Sequence, residues 1–244
     1  MTADDASTRP ERRATGGRSR QRVVAALAVL VSGGAAFLLA SSALDLVREQ
    51  LHHNCGMQPP GSEGAGTWFC SDGIGYLGIA GVLGMGWLAV VLSGVLIALL
   101  VRPSGQARPA LVILAAVSAA WVLGLTWSGS TTNVQDQYAP MTGAEYWIEA
   151  VGPAAMVSAI GIAVGVLSLL PTGPLSWILG IVAIVLLVVA TMLQPGLSLN
   201  LVPAVGLLTA ATVRAIDVDT VLGRRPRQAR QARQRDASRG RASG

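Results

Sequence analysis

The chain has 244 residues, 52% of them hydrophobic and only 13% charged, with a net charge of +5. Soluble domains carry roughly 25% charged residues. Here the apolar residues come in long blocks rather than helical stripes, which argues against a water-solvated globule and for lipid as the solvent. The blocks take most of the chain and leave no room for a second, soluble domain. All 18 cations are arginine. With abundant Ala, Gly and Val, that suggests a GC-rich bacterial genome.

Residues 1–22 are basic and rich in Ser, Thr, Gly and Pro. They cannot bury enough apolar surface to fold and are expected to be disordered. Six apolar segments follow, at 23–44, 74–101, 109–129, 150–170, 175–193 and 197–213. Each is about long enough to cross a ~30 Å hydrocarbon core as a helix, which takes ~20 residues. Arginines cluster before the first segment, between the second and third, and after the sixth. Only Arg48 falls in an odd-numbered connection. The positive-inside bias then predicts six spans with both termini in the cytoplasm. The odd connections hold Asp45, Glu49, Glu63, Asp72, Asp136, Glu145 and Glu149, so the outer face is acidic. The fold class expected is all-α: a polytopic six-helix membrane domain over 23–213, flanked by disordered basic tails at 1–22 and 214–244.

The first segment resembles a signal peptide in its basic start and its small residues at 40–43. Its apolar run exceeds a normal 7–15-residue h-region, so an uncleaved span is the preferred reading. Beyond it, Asp45, Arg48, Glu49 and His52 recur at helical spacing, with Leu44, Val47 and Leu51 on another face. This predicts an amphipathic continuation that stops before Pro59-Pro60-Gly61. The outer loop 45–73 contains both cysteines, Cys55 and Cys70. They can pair, which closes a loop worth ~3 kcal/mol in the chain-entropy model. Free thiols are an alternative. A redox pair is a weaker one, because the spacing is not C-x-x-C. His52-His53-Asn54-Cys55 raises a metal site, with Glu49 or Asp72 as a third ligand. Adjacent histidines point apart, and a paired Cys55 cannot ligate. Two solvated surface histidines are the expectation.

Small residues mark candidate packing seams. The second span carries Gly78, Gly81 and Gly84. The third carries Ala116, Ala120 and Gly124, and the fourth Gly161 and Gly165. The fifth span is almost wholly branched aliphatic and is expected to face lipid. The sixth is the least hydrophobic and holds Asn200, Pro203, Thr209 and Thr212, a possible polar path. Five spans are the alternative, but that would place the arginine-rich tail outside. Trp68, Phe69, Tyr76, Trp127, Tyr138, Tyr146 and Trp147 gather near the outer interface, where amphipathic rings settle.

No Asp, Glu, His, Lys or Arg lies in the middle third of any predicted span. Such groups mark proton relays and substrate paths, and intramembrane acid–base catalysis needs one. No catalytic, cofactor-binding or metal-binding residue is therefore expected. The tail after Leu222 lacks an apolar face and is expected to lie near anionic headgroups of the inner leaflet. Expected partners are the lipid bilayer, those headgroups and other membrane proteins, with no nucleic acid. The reading is a non-enzymatic structural or interaction component of a cytoplasmic-membrane assembly. The alternative is a permease or channel subunit for a neutral or apolar substrate.

Overall fold

The computed structural model describes residues 9–101, 104–133, 137–171 and 173–215, with side chains from residue 19 onward except at 104 and 133. Expectations placed on 1–8, Arg102, Asp136 and 216–244 lie outside the described residues. Helices α1 (Arg9–Leu38) and α2 (Ala40–Asp45) run into a π turn, Leu46–Gln50. A hairpin of β1 (Cys55–Met57) and β2 (Trp68–Cys70) follows, then a 3-10 turn, Gly73–Tyr76. Next come α3 (Leu77–Leu100), α4 (Ser104–Asn133), α5 (Gly143–Ala150), α6 (Gly152–Leu167) and α7 (Pro174–Leu193). A 3-10 turn, Pro195–Leu197, leads into α8, residues 198–215.

Five helices are long and apolar enough to cross a membrane, and the α5–α6 pair makes a sixth candidate, bent by 60°. The bend has a local cause. Pro153 stands just after the start of α6. It has no N–H to offer the preceding turn, so α5 cannot run on unbroken. Two helices are longer than expected. α1 already runs from Arg9, inside the segment expected to be disordered. Pro10 falls in its first turn, where a missing N–H costs nothing, and Arg, Ala, Glu and Gln are good helix formers. α4 takes in residues 104–108, read from sequence as part of a turn.

α8 is the axis of the bundle. Of its window, 72% is buried, against 28–39% for the other four single-helix candidates. Helices α1, α3, α4, α6 and α7 form an arc around it. Gly94 of α3 admits Leu207 and Val29, Gly165 of α6 faces Leu208, and Gly180 of α7 faces Thr212. Ser118 of α4 donates to the Asn200 carbonyl at 2.8 Å. The low hydrophobicity of the sixth span fits this position: protein covers most of it and leaves a half-buried stripe through Val202, Val205, Thr209 and Val213.

One core cluster, with Val29, Leu111, Leu187 and Leu207, fills the half toward the arginine-bearing chain turns. The other, with Leu46, Leu51, Val122, Leu197 and Leu201, fills the half toward the β-hairpin. These two ends are called the arginine end and the hairpin end below. Outside the core, large apolar residues are exposed along every long helix except α8. α7 turns Ile178, Val182, Val185 and Val189 outward, as expected for a lipid-facing helix. Its other face is a small-residue seam, Ser176, Gly180, Ala183 and Ala190, which the sequence reading did not anticipate.

Candidate functional site

The hairpin end is the most organised irregular region. The chain leaves α1 at Leu39, where Ser42 Oγ donates to the Leu39 carbonyl at 2.6 Å and reaches the Pro195 carbonyl at 2.8 Å. The π turn adds a residue to the helical phase. Leu46, Val47 and Leu51 therefore point inward, while Leu44 stays exposed. Leu46 sits on Gly196, where a Cβ would collide with it. Gln194 ties the same level together: its Nε2 donates to Gln50 Oε1 and to the Ala150 carbonyl, both at 2.7 Å.

The helix stops at Leu51, well before the two prolines, because His52 (φ +48°) and Asn54 (φ +53°) are left-handed. Cys55 and Cys70 face each other in register across the hairpin, their sulfurs at bonding distance, 1.99 Å. That matches the expected pairing and removes Cys55 from any ligand set. Among the described residues no group of His, Cys, Asp and Glu could hold a metal.

The two histidines part company. His52 stacks on Trp68 with centroids 4.1 Å apart, and Tyr146 meets its edge at 5.0 Å. Partial burial lowers its pKa, opposed by the nearby Glu49 carboxylate. His53 is 2% exposed, which overturns the expectation of a solvated side chain. Its ring lies over Gly129 of α4, where a Cβ would fall on it. Burial alone pushes its pKa down. Other aromatics of the hairpin end pack as well, with Trp147 edge-on to Trp127 at 5.1 Å and donating to Thr126 Oγ1 at 3.0 Å, while Phe69 and Tyr138 stay exposed.

At the arginine end, two arginines cap helix ends. Arg214 Nη2 donates to the carbonyls of Ala98 and Val101, both at 2.9 Å. Arg108 Nη2 donates to Ser168 at its carbonyl and its Oγ, and to Ser176 Oγ at 2.6 Å. Both guanidinium groups meet carbonyls at helix C-termini, where unpaired acceptors and the helix dipole favour a cation. Sequence reasoning gave these residues a topogenic role only.

The predicted packing residues divide. Gly161 faces Leu186 and the Ala183 carbonyl, and Gly165 faces Leu208, so both make the expected seam. Gly78, Gly81 and Gly84 do not: a Cβ on any of them would meet nothing within 4 Å. They open onto two apolar grooves beside α3. One, of about 520 Å³, is walled by Phe37, Leu44 and Trp87, and the other, of about 860 Å³, by Val82, Leu114 and Trp121. Ala116, Ala120 and Gly124 also miss their expected role, because α4 buries Leu111, Ala115, Ser118, Ala119 and Val122 instead. Ala120 and Gly124 are exposed. The glycines that do bring helices together include Gly86 under Trp121, Gly94, Gly180 and Gly206 against Ser32.

Of the possible polar path, Pro203 is buried on α8. Thr209 and Thr212 donate to their own helix, to the carbonyls of Val205 and Leu208, each at 2.8 Å. Asn200 is fully buried, and neither atom of its amide group has a partner. These four residues line neither groove. Comparison with known protein families, with characterised proteins and with solved structures found no match to this chain.

Proposed function

We propose that the chain is a multi-pass protein of a bacterial cytoplasmic membrane, with the hairpin end exported and both termini cytoplasmic. It serves as a non-enzymatic structural or interaction component of a membrane assembly. The observation that carries this reading is the glycine face of α3. Gly78, Gly81 and Gly84 have no helix of their own chain against them, although close helix approach is what such residues permit in lipid. The ionisable side chains of the described residues support a passive role, since they gather at the helix ends and connections.

The test uses complexes extracted in mild detergent, with Gly81→Leu and Gly84→Leu as variants. A Cβ at either position would meet no described atom within 4 Å, and the side chain would enter an open groove, so the melting temperature is expected to stay unchanged. Native mass measurement is expected to show loss of the assembled species. Retention of the parental mass in both variants would remove the basis for the proposal. A permease for a neutral substrate is the second reading, favoured by the unpartnered amide of Asn200 inside the bundle.

A further inference from the structure

His53 is held at its backbone, and Nδ1 of its ring has no hydrogen-bond partner. Its N–H donates to the Val47 carbonyl at 3.0 Å, and the Tyr76 hydroxyl donates to its carbonyl at 2.8 Å. The left-handed residues on either side, His52 and Asn54, turn the chain sharply so that the ring enters the bundle. It lies in the notch left by Gly129, and its Nδ1 is buried without a hydrogen-bond partner. We propose that His53 is a proton-operated latch, which in its neutral form holds the disulfide hairpin against the end of α4 and on protonation releases it.

The described surroundings offer a second proton no compensation. On α4 the only charged residue among those described is Arg108, at the opposite end. The residues nearest the ring there, Gly129 and Ser130, are uncharged. The turn Gly73–Tyr76 contributes one titratable group, the Tyr76 hydroxyl, already bonded to the His53 carbonyl. On the histidine's own segment, Arg48 and Glu49 form an exposed ion pair at 3.3 Å, and His52 lies against Trp68. Burial lowers the His53 pKa.

The sign follows from linkage. The docked state prefers the neutral ring, so docking is fully stabilised above the free imidazole pKa of about 6.5. It weakens as the pH falls through the lower docked value. One proton changes the docking equilibrium by at most tenfold per pH unit between those two values. His52 does not fit the role. Its ring is partly exposed, and Glu49 offsets the cost of charging it. The latch does not depend on which side of a membrane the hairpin faces.

The experiment is hydrogen exchange on the full chain in lipid nanodiscs, from about pH 7.5 to about pH 4.5, corrected for intrinsic rates. Peptides covering 46–58 and 125–133 are the readout. In the parent protein, protection of both is expected to fall together by up to tenfold per pH unit, starting below about pH 6.5. His52→Gln is expected to keep that step. His53→Gln is expected to lose it, whether the hairpin is then docked or free at every pH. Gly129→Ala fills the notch and is expected to free the hairpin already at neutral pH. Constant protection in the parent down to about pH 4.5 would overturn the latch. So would a step that survives His53→Gln, or one that disappears with His52→Gln.

Discussion

A Cβ at Gly206 would fall on the Ser32 side chain and come within 3.0 Å of the Ala28 carbonyl. That crossing sets how closely α1 approaches the central helix. Gly206→Ala is therefore expected to destabilise the protein by ~1–3 kcal/mol, the usual cost of overpacking. Gly124→Ala, where nothing lies within 4 Å, is expected to be neutral or slightly stabilising, because Ala is the better helix former. Melting of both variants in one detergent checks the contrast, and equal losses would contradict the packing described. Arg108 makes a second test. Arg108→Ala strips its charged hydrogen bonds to Ser168 and Ser176 while the Ser176 Oγ bond to the Ser168 carbonyl remains, an expected loss of ~1–3 kcal/mol. Arg108→Lys is expected to recover part of the loss, since a single nitrogen, Nη2, makes the bonds to both Ser168 and Ser176 and an ammonium also carries its donors on one nitrogen.

The elements differ in how they use their small residues. Gly161→Leu is expected to lower the yield of folded protein, because the side chain would press on Leu186 and the Ala183 carbonyl. Val185→Leu, on an outward-facing position of α7, is expected to leave folding unchanged. Quantifying folded protein by size-exclusion after extraction separates the two. At the hairpin, replacing both cysteines with serine removes the staple across the 15-residue separation. The expected cost is at most ~3 kcal/mol, read as faster exchange of the hairpin rather than loss of the bundle.

These same elements show what the sequence could and could not reveal. Long apolar runs mark helices that cross a membrane, because every backbone polar group must be satisfied within the segment. That requirement made α3, α7 and α8 legible close to their ends. Facing was not legible. In a helix apolar all round, spacing alone does not say which side meets protein, so it picks out Gly78, which is open, and passes over Gly94, which is packed. α8 could have been placed at the centre from one signal: the least apolar span is the one that lipid touches least. The Pro153 bend was also visible in principle, since a proline inside an apolar run breaks the helix before it. The burial of His53 had no sequence signal, because it depends on a notch at Gly129, 76 positions away in the chain.

At the scale of the molecule, Arg108 and Arg214 cap helices at one end of a helical bundle, and the disulfide hairpin with its aromatic cluster closes the other. If the C-terminal tail serves only as charge, replacing 224–244 with a shuffled version of itself is expected to preserve abundance and orientation. Loss of function at normal abundance would instead point to a sequence-specific cytoplasmic partner. The central claim at this scale is the proposed orientation: arginine end in the cytoplasm, hairpin end exported. The most direct measurement places a reporter that is active only after export at Ser62, in the hairpin turn, and in parallel after Gly244. Activity at Ser62 and silence after Gly244 is the predicted result. Silence at Ser62, or activity after Gly244, would contradict it.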